Sequence, residues 1–234
     1  IEMDGYGRDT VRFRRSALQN KDAYRNVRRW SAEDPYLYNL VLKIKVDGHF
    51  VEYTSAKVGF RTSEVRGNQY YVNGKRVYIK GVNYHEHHEK NGHVLDEATI
   101  REDFRLMKAH NINAIRLAHY PQQRRFYELA DEYGFYLCNE ANIESHGMGY
   151  DLAKGRTLGN NPQWLAKHMD RTQNMYHQTK NFPCVMFWSL GNEAGNGYNF
   201  YETYLWLKGM DTLRPVQYER AILEWNTDIF CPQY

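Results

Sequence analysis

The chain has 234 residues, of which 42% are hydrophobic and 15% aromatic, enough for a packed core and too many for a disordered protein. Its 31 basic and 28 acidic residues give a net charge of +3 without long runs of one sign, so no nucleic-acid partner is indicated. No run approaches the ~18 consecutive apolar residues of a membrane helix, and we expect no membrane partner.

The termini and the cysteines bound the class of protein further. The chain begins with Ile1 rather than methionine, which indicates a segment of a longer protein, and its first residues show no signal peptide. Cys138, Cys184 and Cys231 fall in separate apolar runs. That spacing is typical of buried thiols rather than of a disulfide framework or a zinc site.

Residues 36 to 62 alternate apolar and polar side chains, and Asp47-Gly48 in their middle is a two-residue hairpin signal. One face of the first strand is apolar: Leu40, Leu42, Ile44 and Val46. The pattern predicts about three antiparallel strands, whereas an immunoglobulin-like sandwich has about seven. We therefore expect residues 1–61 to be the C-terminal part of an immunoglobulin-like β-sandwich domain.

Residues 62–234 have a different pattern, in which predicted strands alternate with predicted helices. After a short hairpin at Asn73-Gly74, strands and helices alternate, with Asp96 placed to cap the first helix and Gly134 to end the second. Two later helices are predicted at 162–180 and 199–209. The strands are near-continuous apolar runs, such as "INAIRLAHY", "FYLCNE" and "VMFWSL", which is typical of a parallel sheet.

About six strands are predicted between Val77 and Tyr234, the last two being "RPVQYE" and "TDIFCPQY". An open doubly wound sheet is the alternative, but no glycine-rich phosphate loop follows the first strand. Polar residues instead collect at the C-terminal ends of the strands, where a barrel has its active site. We predict an α/β fold, a (β/α)8 TIM barrel truncated at its C-terminal end, over residues 62–234.

The residues that could carry chemistry lie at those strand ends: His85, Arg116, His119, Asn142, Glu144, His146, Asn192, Glu193 and Tyr234. They are distant in sequence, but the tips of parallel barrel strands converge on one pocket. The run "VMFWSLGNEAGNG" is the clearest case, because a core strand leads directly into an amide and a carboxylate.

Five motifs in this order, "GVNYHEHH", "NAIRLAHYP", "NEANIESHGM", "WSLGNEAGNG" and "RPVQYE", resemble the large β-galactosidases of glycoside hydrolase family 2. "WSAEDPYLYNLVLKI" and "VGFRTSEV" resemble the end of the family's immunoglobulin-like domain, just before its catalytic barrel. The resemblance covers essentially the whole chain. It implies a bacterial enzyme that removes terminal β-D-galactose with retention from β-galactosides such as lactose or a plant or host glycan. The compartment, cytoplasm or periplasm, is left open.

The resemblance also implies roles in catalysis. Glu193 matches the family's acid/base residue and Asn192 a ligand of the sugar 2-hydroxyl, within a mechanism that uses two carboxyl groups about 5–5.5 Å apart. The family's nucleophilic glutamate follows the seventh strand, which we do not find in this sequence. The expectation is therefore a fragment that lacks the nucleophile and is nearly inactive alone.

Glu144, His146 and Glu193 match the family's metal ligands, and this oxygen-rich set suits Mg²⁺ or Mn²⁺ better than zinc. The resemblance further allows for a monovalent cation and a homo-oligomer in the full-length enzyme. The cluster His85 to His88 could suggest zinc, but it lacks the H-E-x-x-H spacing.

The remaining matches concern substrate. His85 and His119 match the family's galactose-binding histidines, and Tyr234 its active-site tyrosine. Arg116 lies within a strand, where a charge needs a carboxylate partner such as Glu140, and in the family it orients the nucleophile. Two other functions stay open: a β-glucuronidase or β-mannosidase of the same family, and a carbohydrate-binding fragment without catalysis.

Overall fold

A computed structural model describes residues 26–148 and 157–233. The part of the chain before the barrel begins with an antiparallel hairpin of β1 (Tyr38–Val46) and β2 (His49–Val58). Asp47 and Gly48 join the two strands with φ values of 47° and 81°, the left-handed pair that a tight hairpin turn requires. The predicted turn is confirmed, and residues 36 to 62 hold two strands where we predicted about three.

The apolar face of this hairpin is open to solvent. Its four side chains on β1, Leu40, Leu42, Ile44 and Val46, are between 36% and 49% exposed. Since an isolated two-stranded hairpin is marginally stable at best, the hairpin depends on what packs against it. This matches the expectation of part of a sandwich.

A second antiparallel sheet contains β3 (Ser63–Arg66), β4 (Gln69–Val72) and β5 (Lys75–Val77). The segment before it is tied to the base of the barrel. A Cβ on Gly59 would lie 2.7 Å from Cγ of Pro183, so only glycine fits there. The buried guanidinium of Arg61 donates to the carbonyl oxygens of Pro183 and Val185, both at 2.5 Å.

The third sheet is parallel and has five strands: β6 (Gly81–Tyr84), β7 (Ala114–Leu117), β8 (Tyr136–Glu140), β9 (Val185–Ser189) and β10 (Val216–Gln217). Its spatial order is β10-β9-β8-β7-β6, so every strand pairs with its neighbours in the chain. A doubly wound sheet would reverse its order at a switch point. The order therefore favours the barrel. The sixth predicted strand is represented by an isolated parallel bridge between Gln217 and Ile229.

In the described part of the chain, an α-helix follows each of the first four parallel strands: α1 (Glu97–Ala109), α2 (Arg124–Tyr133), α3 (Leu165–Thr179) and α4 (Tyr198–Met210). The predicted ends of the first two are confirmed. Asp96 accepts a hydrogen bond from the N–H of Thr99, and Gly134 ends α2 with a left-handed φ of 76°. The third predicted helix begins as a single 3₁₀ turn, Pro162–Trp164.

The core lies between the parallel sheet and its helices. Phe104 of α1 packs against Phe126 of α2 and against Phe135, with ring centroids 4.9 Å and 4.8 Å apart. All five residues of β9 are buried, as the continuous apolar run predicts. Across residues 26–148 and 157–233, no helix is both long and apolar enough to cross a bilayer.

Candidate active site

Side chains from five strand ends meet at the C-terminal edge of the parallel sheet. They are linked by direct contacts between residues that lie up to 76 positions apart in the sequence. The innermost is Glu140, the last residue of β8, which is 0% exposed. A carboxylate buried to this extent is stable only when its charge is compensated and its lone pairs are engaged.

Three donors satisfy Glu140. The guanidinium of Arg116 on β7 contacts both carboxylate oxygens, at 2.9 Å and 3.1 Å. His119 Nδ1 lies 2.6 Å from Oε1, and the Ser189 hydroxyl donates to Oε2 at 2.6 Å. The expected pairing of Arg116 with Glu140 is thus present. Glu140 in turn holds the His119 ring at the rim of the sheet.

Asn192 connects this buried cluster to the next strand end. Its Oδ1 accepts from Arg116 at 2.9 Å, and its Nδ2 donates to Glu144 Oε2 at 2.6 Å. Asn192 also forms a parallel backbone bridge with Glu144. The two turns approach so closely that a Cβ on Gly191 would lie 2.7 Å from the Ile143 carbonyl oxygen.

Glu193 is 9% exposed and has a positive φ of 41°, which is uncommon for a residue with a side chain. Its N–H donates to Glu219 Oε1 at 2.7 Å. Its two carboxylate oxygens have different neighbours: Arg220 contacts Oε1 at 3.3 Å, and His146 Nδ1 lies 2.9 Å from Oε2. Burial raises the pKa of the Glu219 carboxyl above its usual range.

Glu144, His146 and Glu193 come together at the outer side of this cluster. One ligand atom of each lies within 4.8 Å of the others. Ligands of an octahedral Mg²⁺ ion with 2.0–2.1 Å bonds are about 3–4 Å apart, so a small contraction of the three side chains would accommodate the ion. Two carboxylates and one imidazole are also a suitable donor set. The residues therefore fit such an ion, and its presence stays a prediction.

His85 and His119 stand side by side at the rim, with ring centroids 5.1 Å apart. Partial desolvation lowers the pKa of His85 below the ordinary value of a histidine. His119 contacts both Arg116 and Glu140, whereas His85 interacts with these two residues electrostatically. Tyr234, the last sequence-predicted site residue, lies outside the described residues.

Two residues in contact with the site were not singled out from the sequence, Ser189 and Arg220. Ser189 is the last residue of β9, and its hydroxyl links Glu140 to Gln217 of β10 at 2.6 Å on each side. Arg220 follows β10 within "RPVQYER". The sequence order already marks Glu219 as an acidic residue after the fifth strand, and Arg220 is the next residue in the chain.

Comparison with known proteins places the chain in a family. Residues 63–234 match the family model "Glycosyl hydrolases family 2, TIM barrel domain", and residues 7–61 match "Glycosyl hydrolases family 2". A beta-galactosidase of Vibrio cholerae is 48% identical over 207 residues, which cover 88% of this chain and 20% of that protein. A beta-galactosidase of Alteromonas mediterranea is 46% identical with the same coverage. The chain thus spans about a fifth of the length of these relatives.

Solved structures show the same fold. A β-glucuronidase of Ruminococcus gnavus superposes with a TM-score of 0.76 at 28% identity, over 88% of this chain and 37% of that chain. A β-D-glucuronidase of Dictyoglomus thermophilum gives a TM-score of 0.71 at 27% identity, over 87% of this chain and 36% of that chain. These matches confirm the fold class predicted from the sequence. The chain belongs to glycosyl hydrolases family 2.

Proposed function

We propose that this chain supplies the acid/base half of a retaining β-galactosidase. The observation that carries the proposal is the position of Glu193 at the tip of a buried strand, with its two carboxylate oxygens held by different partners. The activity itself is supported by the curated relatives, beta-galactosidases that are 44–48% identical over most of this chain.

Glu193 would act twice in the double displacement. It first gives its proton to the glycosidic oxygen as the leaving group departs, and it then takes a proton from the water that releases the sugar. The second carboxyl group, the nucleophile, has to approach the anomeric carbon from the opposite face of the sugar. Glu140 and Glu219 are both engaged within the site, so a carboxylate other than these two is expected to serve.

The neighbours of Glu193 suit the binding of a sugar. Asn192 would hydrogen-bond the 2-hydroxyl, a contact that strengthens in the transition state. His85 and His119 would contact galactose hydroxyls from the rim. Arg116 stays bound to Glu140 and would orient the second carboxylate, and Tyr234 is expected to contact the substrate or the nucleophile.

Glu144, His146 and Glu193 would hold a divalent cation, Mg²⁺ or alternatively Mn²⁺. When bound, the cation would supply positive charge beside the acid/base carboxylate. Within the chain itself, Asn192 holds Glu144 through a hydrogen bond of 2.6 Å, and His146 holds Glu193. These contacts arrange the ligand atoms before any ion binds.

The test is Glu193→Gln in the enzyme that contains this chain. We expect cleavage of phenyl β-galactoside to fall by about 10²–10⁴-fold, because its poor leaving group needs the proton. Cleavage of dinitrophenyl β-galactoside should fall far less, because its leaving group does not. Glu102→Gln on the exposed surface of α1 is the matched control. Equal losses on both substrates would contradict the assignment of Glu193.

A β-glucuronidase is the second candidate, because the solved structures that match this fold include β-glucuronidases at 27–30% identity. The curated β-galactosidases are more similar in sequence. Assays with nitrophenyl β-galactoside and β-glucuronide at equal concentrations decide between the two functions. Faster cleavage of the glucuronide would overturn the galactosidase proposal, and binding of galactose without turnover of either substrate would identify a carbohydrate-binding fragment.

A further inference from the structure

The turn after β10 carries two charged residues that belong to neither the expected metal ligands nor the expected substrate contacts. Glu219 and Arg220 lie in a 3₁₀ turn, Glu219–Ala221, directly against the tip of β9. Their side chains are 3% and 15% exposed, and Arg220 Nε lies 2.9 Å from Glu219 Oε2. The two form a buried ion pair at the edge of the site.

Glu219 acts on the backbone of Glu193. It accepts the Glu193 N–H at 2.7 Å, and Glu193 has a left-handed φ of 41°. A left-handed backbone is unfavourable for any residue with a Cβ, so it persists only where its surroundings impose it. A charge-assisted hydrogen bond to a buried carboxylate is one such constraint.

Arg220 acts on the side chain of the same residue. Its guanidinium lies 3.3 Å from Glu193 Oε1, while the other oxygen faces His146. A carboxylate with different partners on its two oxygens cannot rotate about its last bond without losing both. Glu193 is therefore fixed in its backbone conformation by Glu219 and in its side-chain orientation by Arg220.

The turn is itself held firmly. The Tyr218 hydroxyl donates to the carbonyl oxygen of Gly195 in the loop after β9, and the Tyr218 ring stacks on Phe200 of α4 at 4.2 Å. Ile222, just after the turn, has a φ of 52°. This is a genuine outlier for a β-branched residue, and such strain is concentrated at functional sites.

We infer that Glu219 and Arg220 are a positioning pair for the acid/base carboxyl group of Glu193. The inference rests on the proposed function, because it gives the pair a role in the proton transfer that Glu193 performs. Both residues act through Glu193 and not on the substrate: Glu219 accepts its backbone N–H, and Arg220 contacts its carboxylate. Their contribution is to present one oxygen of Glu193 in a fixed orientation, which proton transfer to the glycosidic oxygen requires.

The experiment uses Arg220→Met in the enzyme that contains this chain, with phenyl and dinitrophenyl β-galactosides as substrates. We expect kcat/KM to fall about 10²-fold for the phenyl substrate and less than about 3-fold for the dinitrophenyl substrate, since only the former depends on the acid. KM for the two substrates should change little. A residue that only supported the fold would lower both rates together.

Two further variants keep the test decisive if Arg220→Met does not fold. Arg220→Lys keeps the charge and should recover at least about a tenth of the lost rate on the phenyl substrate, although lysine cannot contact two acceptors as arginine does. Glu219→Gln keeps an oxygen for the Glu193 N–H and removes the ion pair. Its kcat/KM on the phenyl substrate should lie between that of wild type and that of Arg220→Met. The matched control is Arg105→Met, an exposed arginine of α1 paired with Glu102.

The outcomes separate the inference from the function on which it rests. Wild-type enzyme that cleaves no β-galactoside contradicts the proposed function, and the comparison is then made with the phenyl and dinitrophenyl glycosides that it does cleave. Equal losses on both leaving groups, or no loss in any of the three variants, overturn the positioning role. No cleavage of any glycoside overturns both.

Discussion

Buried carboxylates decide much of the chemistry of this molecule, and their environments differ residue by residue. Glu140 is 0% exposed and receives an arginine, a histidine and a serine hydroxyl. Asp131 on α2 is 2% exposed, and its carboxylate accepts a hydrogen bond from the N–H of Cys184 at 2.8 Å. Arg116 forms a salt bridge with Glu140, whereas no arginine among residues 26–148 and 157–233 forms one with Asp131. Burial without a paired cation favours the neutral acid.

The buried carboxyl group of Asp131 should make the stability of the fold depend on pH. Burial raises its pKa from 3.8 to about 7. Because the folded pKa lies above the unfolded one, the folded state binds more protons between these values, and ionisation of Asp131 destabilises the fold as pH rises through this window. We expect Asp131→Asn, which retains an acceptor for the Cys184 N–H, to gain stability relative to wild type between about pH 4 and pH 7, by up to a few kcal/mol.

Thermal unfolding midpoints of the two proteins at about pH 4.5 and pH 8, at equal ionic strength, measure this difference. Asp34→Asn is the control, since Asp34 is exposed and its hydrogen bond with Arg28 lowers its pKa. Its ionisation should stabilise the fold, weakly because solvent screens the pair. If wild type and Asp131→Asn differed in melting temperature by the same amount at both pH values, the raised pKa of Asp131 would be contradicted.

At the scale of elements, the loop after β9 places Glu193, and its conformation depends on glycine. Gly195 has a φ of 69°, and a Cβ there would overlap the Thr157 side chain, whose hydroxyl bonds the Ala194 carbonyl. Gly191 meets the Ile143 carbonyl in the same way. The sequence "LGNEAGNG" predicts a turn, but only the folded structure shows which backbone groups from other loops approach each glycine.

Gly195→Ala should therefore disturb both stability and the site. The left-handed conformation alone costs alanine about 1 kcal/mol, and displacement of Thr157 adds to this. We expect a lower melting temperature and a lower kcat on phenyl β-galactoside, since the neighbouring turn holds Glu193.

Gly209→Ala in α4 is the matched control. Nothing lies within 4 Å of a Cβ there, and alanine should stabilise the helix by about 0.5–1 kcal/mol. Equal melting temperatures for the two variants would contradict the steric argument.

Short sequence motifs predict turns and helix ends well, because these features depend mainly on residues that are adjacent in the sequence. Asp47-Gly48, Asn73-Gly74, the Asp96 cap and the Gly134 stop all lie where their chemistry predicts. Pairing of "TDIFCPQY" was harder to predict, because an apolar run becomes a strand only where a neighbour offers its backbone. In the described residues that pairing is one bridge to Gln217.

At the scale of the whole molecule, topology explains why distant residues could be predicted to meet. Parallel strands in chain order bring Arg116, Glu140 and Asn192 to one edge, so their convergence follows from the strand assignments alone. The contacts within the site do not follow from them. That Arg220 lies against Glu193, and that Ser189 bridges Glu140 and Gln217, depends on loop conformations that no periodicity encodes.

The activity of the 234-residue chain by itself depends on which carboxyl groups it contains. Double displacement needs two carboxyl groups about 5–5.5 Å apart across the sugar. Of the carboxylates around Glu193, Glu140 is bound to Arg116, Glu219 to Arg220, and Glu144 to Asn192. An acid group alone gives about 10²–10⁴-fold acceleration, far below the 10⁶-fold or more of whole enzymes.

We therefore expect the purified chain to hydrolyse nitrophenyl β-galactoside at least about 10²-fold more slowly than the full-length enzyme, at equal molar concentration and with added Mg²⁺. Circular dichroism and the melting transition have to show first that the purified chain is folded, as the full-length enzyme is. Turnover close to that of the full-length enzyme, lost on Glu193→Gln, would place the nucleophile among these 234 residues. Glu140→Gln and Glu219→Gln would then identify it, because removal of a nucleophile abolishes cleavage even of dinitrophenyl galactoside, whereas removal of the acid does not.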